Sequence, residues 1–287
     1  MTKRKQLCVS FVTLFPDSLT STLHSSIMGR AVRQGVLRVA VEPIRQHGLG
    51  KHRRVDDTPY GGGPGQLLRV DVVVSALRAA LARSERAGSR SVVLVDAAGA
   101  PFTHHTAKRW AQLDHVVFVC GRYEGIDSRI HHYVDETASI GDYVLTGGEL
   151  PALVMLDATL RHVPGVLGNP LSSSHDSFED GLLEHSQYTV PVEFEGHRVP
   201  RLPRGGHHAR IAQARHAERV LRTQLMRPPR GFGGEAPPPP KPSIESEHSE
   251  RQKDEKSKGV PEKYLRETQN FLGQKGEQPP WLRHAPK

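Results

Sequence analysis

Cysteine is scarce in this 287-residue sequence, with only Cys8 and Cys120 present. Two such residues, far apart, exclude a disulfide framework and a cysteine-built zinc site. Both fall in apolar runs that read as buried strands, where a thiol serves as a small core group. Long hydrophobic runs are also missing. No stretch approaches the roughly 20 apolar residues of a membrane-spanning helix. The apolar run behind the basic Met1-Thr2-Lys3-Arg4-Lys5 is short and is broken by Ser10 and Thr13, so it reads as a strand and not as a secretory leader. These absences predict a soluble, cytoplasmic protein with no membrane partner. The common hydrolytic signatures are absent as well: there is no Gly-x-Ser-x-Gly elbow and no His-Glu-x-x-His helix. Ser174-His175-Asp176 contains the residue types of a triad, but immediate neighbours cannot pass a proton along a line. The histidine pairs at 104–105, 131–132 and 207–208 lack helical metal-ligand spacing.

Lysine is missing from one region where positive charge is concentrated. Residues 198–230 hold nine arginines, no lysine and a single acid, Glu218, an excess of eight that equals the net charge of the whole chain, +8. The remainder is formally neutral, so one local region carries the electrostatic footprint of a polyanionic partner. Within it, residues 209–226 read as a helix with Ile211, Ala214, Ala217, Leu221 and Leu225 on the packing side. Arg215, Arg219 and Arg222 follow at spacings of four and three on another face. That face is either a solvated surface or a nucleic-acid contact.

The rest of the chain alternates between strand and helix patterns. Residues 7–14, 36–41, 91–95 and 116–120 read as strands. Helices are predicted over 17–34 with Gly35 as the stop, over 72–86 behind Asp71, over 103–113, and over 149–162 with Leu153, Leu156 and Leu160 on one stripe. Asp127 caps a short helix through 133. Residues 45–58 and 188–203 read as irregular. This alternation predicts an α/β layered domain with a mainly parallel sheet. With 36% hydrophobic residues the chain can bury one sizeable core and a small second one. Residues 164–175 read as a linker of Pro, Gly, Asn-Pro and serines. From 233 onward the composition is rich in proline and mixed charge, as in a disordered tail, with a short helix possible near 262–272.

The stretch the chain is organised around is 119–149. It opens Val119-Cys120-Gly121-Arg122-Tyr123-Glu124-Gly125-Ile126-Asp127 and closes Ser139-Ile140-Gly141-Asp142-Tyr143-Val144-Leu145-Thr146-Gly147-Gly148-Glu149. A β-branched run that ends in glycines and polar groups delivers the carboxyl edge of a buried strand to a ligand. Two such loops suggest one pocket lined mostly by backbone; the plain alternative is two surface turns. The glycine-rich Tyr60-Gly61-Gly62-Gly63-Pro64-Gly65 lacks the lysine and hydroxyl of a phosphate loop.

These segments, with Val55-Asp56-Asp57-Thr58-Pro59 before that glycine run, 161–168 and Asp176-Ser177-Phe178, resemble the bacterial tRNA (guanine-N1)-methyltransferases of the TrmD type, within the SPOUT class. The resemblance covers roughly 7–225. It implies a trefoil-knotted, mainly parallel α/β catalytic domain over 1–163, the linker over 164–175, and a small helical tRNA-binding domain over 176–232. It implies methyl transfer from S-adenosylmethionine to N1 of guanosine-37, next to the anticodon, by a homodimer with its active site at the subunit interface. The donor site would comprise Gly121, Tyr123, Ile140, Gly141, Asp142, Tyr143, Val144, Leu145, Gly147 and Gly148. Asp176 would be the general base, Arg161 the arginine gripping the target base, and Glu124 the side chain near both substrates, with Mg2+ dependence as a family trait. Arg215, Arg219 and Arg222 would hold tRNA. Taken alone, Asp176 reads as a helix cap and Arg161 as an arginine snorkelling from a helix end. The alternative functions are a SPOUT methyltransferase acting on another RNA base, or a non-catalytic RNA-binding relative. The chain departs from the family at Asp96-Ala97-Ala98-Gly99, at Gly50-Lys51-His52-Arg53 and at Ala214.

Overall fold

The computed structural model describes residues 6–83, 88–168, 176–200 and 208–227. The expected tail over 233–287, the helix near 262–272 and most of the expected linker lie outside these residues. The chain divides into two compact units, Met1–Ser173 and Ser174–Lys287.

The first unit runs β1 (Leu7–Thr13), α1 (Asp17–His24), α2 (Ser26–Arg33), β2 (Leu37–Pro43), a 3-10 turn (Ile44–His47), β3 (Asp56–Asp57), β4 (Leu67–Leu68), α3 (Val70–Ala82), β5 (Arg90–Pro101), α4 (His104–Trp110), β6 (His115–Cys120), a second 3-10 turn (Ser128–His132), β7 (Glu136–Ser139) and α5 (Glu149–Leu160). Five strands form one sheet in the order β2-β1-β6-β5-β7, and every pairing in it is parallel. Parallel strands need cover on both faces, and their alternating side chains divide accordingly. Phe11, Val93, Val95, Val116 and Phe118 pack with α1, α2, α4 and α5. Val12, Val92, Leu94, Val117 and Val119 pack with α3. All six residues of β6 are buried, as a central strand requires. The result is a three-layer α/β/α domain of the expected class.

Several local expectations change. The single helix expected over 17–34 is two helices, because Ser25 is extended (ψ 159°) and Ser26 takes a positive φ of 47°. The second helix closes against the first at Gly29, where any Cβ would lie 2.2 Å from the His24 carbonyl oxygen. The strand expected over 91–95 runs on to Pro101, with a register shift between Val95 and Ala100 that throws residues 96–99 outward. A further strand, β7, went unpredicted. Its four residues carry no apolar alternation, and it is held by β5 and by Glu136, which accepts from Ser91, Arg109 and Trp110. Part of the expected linker packs on the first unit, since Val166 is buried and its carbonyl accepts from Arg30 (2.8 Å).

Among its described residues the second unit, expected to be helical, holds one helix and a small hairpin. β8 (Glu193–Phe194) and β9 (His197–Arg198) are joined by Glu195 and Gly196, both at positive φ (48° and 79°), the geometry that two-residue hairpins prefer. Helix α6 (His208–Met226) buries Ile211, Glu218, Leu221 and Thr223. Glu218 accepts from the backbone and hydroxyl of Ser186, and Thr223 accepts from the backbone of Leu183 (2.8 Å).

His115, at the start of β6, is 4% exposed and bonds Ser10 (Nε2 to Oγ, 2.9 Å). Burial, helped by the Arg90 charge, lowers its pKa, so the fold favours the neutral ring. The unfolded chain therefore binds the extra proton as pH falls below the ordinary histidine value of about 6.5, and stability is lost in that direction. Unfolding curves from pH 7.5 to 5 should show the wild type losing stability faster than His115→Gln, by at most about 1.4 kcal/mol per pH unit. Parallel curves would remove His115 from the acid response.

Candidate active site

The carboxyl ends of β5, β6 and β7 meet at one edge of the sheet, and their loops enclose a pocket. Its lining comes from Val95, Asp96 and Ala97, from residues 121–125, from residues 138–141 and from residues 143–148, with Pro151 at the base. Gly121, Gly125, Gly141, Gly147 and Gly148 stand in this wall, and three close approaches explain glycines in it and beside it. A Cβ on Gly99 would lie 2.6 Å from the backbone nitrogen of Ala138. One on Gly148 would lie 2.8 Å from Cα of Cys120, where the Gly148 N–H donates to the Gly121 carbonyl (3.0 Å). One on Gly141 would meet the Tyr143 ring at 2.3 Å. A side chain at Gly99 or Gly148 would separate the segments that make the pocket, and one at Gly141 would displace the Tyr143 ring.

A buried carboxylate ties the wall together. Glu149, 1% exposed in the first turn of α5, accepts from the Thr13 hydroxyl at Oε1 (2.6 Å) and from Arg122 Nε at Oε2 (3.0 Å). Arg122 also donates from Nη1 to the Thr146 carbonyl (3.1 Å) and lies over the Phe15 ring, 4.5 Å from its centroid. Phe15 N donates back to Thr13 Oγ1 (3.0 Å). The end of β1, the loop after β6 and the start of α5 thus share one charge-assisted network. Arg122, Thr146 and Glu149 stand within the 119–149 stretch, but their pairing was not expected from the sequence, nor was the part played by Thr13 and Phe15. The usable signal was an arginine just after one buried strand and a glutamate opening a helix, both among glycines.

Of the residues expected to hold the methyl donor, Gly121, Tyr123, Ile140, Gly141, Tyr143, Val144, Leu145, Gly147 and Gly148 line the pocket, and Asp142 does not. Tyr123 stands at a positive φ of 62°, with its ring half exposed. Glu124 lines the pocket too, and its side chain lies against Gly65, where a Cβ would come within 2.4 Å of Cγ. Arg161 caps the end of α5 in the first unit, and Asp176 belongs to the second unit. Among the described residues the lining comes from the first unit, and of the three expected catalytic residues it includes Glu124. Cys120 is no nucleophile, because burial pushes its thiol well above the usual pKa and Glu149 adds to the rise.

The arginines of α6 divide. Arg219 pairs with Asp180 and donates to the Leu183 carbonyl (3.2 Å), and Arg222 donates to the Glu184 carbonyl (3.2 Å). Arg215 is exposed.

Fold and pocket define an α/β protein with a glycine-rich pocket at the carboxyl edge of a parallel sheet, the place where such folds take their ligands. Fold alone does not fix a chemistry. The chain belongs to the tRNA (Guanine-1)-methyltransferase TrmD family, whose profile matches residues 7–230. It is 48% identical over 217 residues to a tRNA (guanine-N(1)-)-methyltransferase of Thermus thermophilus, covering 76% of this chain and 88% of the relative. A protein of the same name from Syntrophotalea carbinolica is 48% identical over 217 residues, covering 76% and 87%. One from Lacticaseibacillus paracasei is 46% identical over 220 residues, covering 77% and 85%.

Arg122→Met would leave Glu149 buried without its cation, and breaking one side of such a pair costs about 3 kcal/mol or more. Urea unfolding should show that loss, and adding Glu149→Gln should recover part of it. A stable single variant would mean that the network does not hold the pocket wall.

Proposed function

We propose that this chain transfers a methyl group from S-adenosylmethionine to N1 of guanosine-37 in tRNA. The carrying observation is the pocket at the ends of β5, β6 and β7, formed by the two loops on which the family resemblance rests. The residues present suit the donor. Backbone N–H and C=O groups can read adenine, and Ala138, Ile140, Leu145 and Pro151 supply apolar contact. Arg122 is already matched by Glu149, so the remaining charged side chains in the wall are the acids Asp96 and Glu124, which favour a cationic ligand. The donor, when bound, supplies an electrophilic methyl group on positive sulfur.

The chain's own residues then have three tasks. Guanine N1 carries a proton at neutral pH, so its lone pair is not free to attack. Asp176 accepts that proton. Negative charge builds on O6 as the proton leaves, and the planar guanidinium of Arg161 stabilises it there. Glu124 orients the reacting groups at the pocket rim. A magnesium requirement fits Glu124 as a single carboxylate for an ion that keeps most of its waters. Arg215, with Arg219 and Arg222 behind it, draws the tRNA backbone to the second unit. The knot and the catalytic role fall to residues 1–163, the linker to 164–175 and tRNA holding to 176–232, while residues 233–287 lie outside the described residues. It places the protein in the cytoplasm, with its substrate.

The experiment is labelled methyl donor with unmodified tRNA, followed by mapping of the modified base. Asp176→Asn should retain donor binding and lose about a hundredfold or more in turnover, because an amide cannot take the proton. Label on a base other than guanosine-37 would reassign the substrate, and no label at all would point to an RNA-binding relative. Near-normal turnover of the asparagine variant would end the general-base role.

We further propose a homodimer in which Asp176 serves the pocket of the other subunit. The described lining of the pocket runs from Val95 to Pro151, whereas Asp176 lies in the second unit. Asp176→Ala and Gly141→Trp should each be inactive alone, the second because even a Cβ at 141 meets the Tyr143 ring. After subunit exchange, half the dimers are mixed and each has one intact site, so about a quarter of wild-type activity should return. Confirmed exchange with no recovery would place the site within one chain.

A further inference from the structure

β3 and β4 pair antiparallel, Asp56 with Leu68 and Asp57 with Leu67, and close a hairpin whose loop is 58–66. One arm is stitched to the pocket loop. Glu124 N donates to the Gln66 carbonyl, Leu68 N to the Gly125 carbonyl and Asp127 N to the Leu68 carbonyl, each at 3.0 Å. The base of the hairpin is braced by Arg69, which pairs with both Asp57 (3.1 Å) and Asp71 (2.8 Å). The tip is of the opposite character. Gly61, Gly62 and Gly63 stand at φ of +86°, +80° and +130°, and a Cβ on Gly61 or Gly62 would meet nothing within 4 Å. Before them stands Tyr60, fully exposed at 101%. A large, fully exposed aromatic therefore sits on an open, glycine-rich tip, on a hairpin fixed to the wall that carries Glu124.

An aromatic ring left wholly in water next to a pocket is unexplained by the fold, since it buries nothing. It is explained by the substrate. N1 of guanine lies on the pairing edge, and chemistry there requires the base to leave its stack. The neighbouring base then loses a stacking partner. We propose that Tyr60 supplies it, stacking on a nucleobase that flanks the target guanosine and so positioning the tRNA over the pocket. This rests on the methyl-transfer reading above. The full exposure of Tyr60 leaves its ring open to a base, and stacking of this kind tolerates any base because every base has a π-face. Tyr60 is a positioning residue, not a catalytic one.

The test uses full-length protein and unmodified tRNA carrying 2-aminopurine next to the target guanosine. Stacks of this type are worth about ten- to a hundredfold in affinity. Tyr60→Ala should raise KM for tRNA by about tenfold or more, leave donor affinity unchanged and lose the fluorescence quench seen with wild type. Tyr60→Phe should match wild type within about twofold. An alanine variant that binds and quenches like wild type overturns the proposal. So does a phenylalanine variant as weak as alanine, because the hydroxyl and not the ring would then be at work. If wild type transfers no methyl group, the methyl-transfer reading fails, and the quench comparison still decides the stacking.

Discussion

The pocket depends on one buried ion pair. Taking Glu149 out of water is expensive, and a glutamate with one partner in so buried a position would be a liability. It is tolerated because each oxygen has a donor, the Thr13 hydroxyl and Arg122 Nε, and because the N-terminal end of α5 favours negative charge. The geometry that makes the pair affordable also fixes three chain segments against each other. Arg122 cannot reach Glu149 and the Thr146 carbonyl together unless the loop after β6 and the loop before α5 lie side by side. Their antiparallel bridge, Arg122 with Gly147, is the backbone half of the same constraint.

That constraint accounts for the glycines at the junction. Gly148 comes against Cα of Cys120 because the ion pair draws α5 onto the end of β6. Gly99 lets the outward excursion of β5 return alongside β7. With no side chain at Gly121, Gly147 and Gly148, backbone is open to a ligand along that part of the wall. Backbone donors and acceptors suit a ligand recognised by its edge pattern. They are also rigid, because each loop is held at both ends by a strand or helix of the central domain.

The layered fold was legible because its strands obey simple rules. Residues 116–120 are continuously apolar and lie at the centre of the sheet, and the pocket loops follow directly from where that run stops. β7 was not legible, because Glu136 and Thr137 carry polar partners instead of an apolar face. The break at Ser25 was hidden because Ser25 and Gly29 sit inside an otherwise unbroken helical pattern, and only the carbonyl of His24 shows why the glycine is needed. Tyr188 onward read as irregular because two-residue strands leave no period to detect. Arg122 and Glu149 lay in view within the motif, but pairing across 27 residues is a property of the fold, not of spacing.

The arginine-rich helix shows where charge counting stops being informative. Counted from sequence, α6 displays Arg215, Arg219 and Arg222 as equals. In the fold, Arg219 neutralises Asp180 and both Arg219 and Arg222 hold carbonyls of the segment packed against the helix. A guanidinium used this way still contributes to the long-range field that brings a polyanion near. It has fewer donors free to meet a phosphate directly, and direct phosphate neutralisation is what sets the salt dependence of binding. The basic excess of residues 198–230 therefore overstates the number of phosphate contacts this helix can make. Part of that charge is spent inside the unit, where Arg219 and Arg222 hold Asp180 and the carbonyls of Leu183 and Glu184 and so order the segment packed on α6.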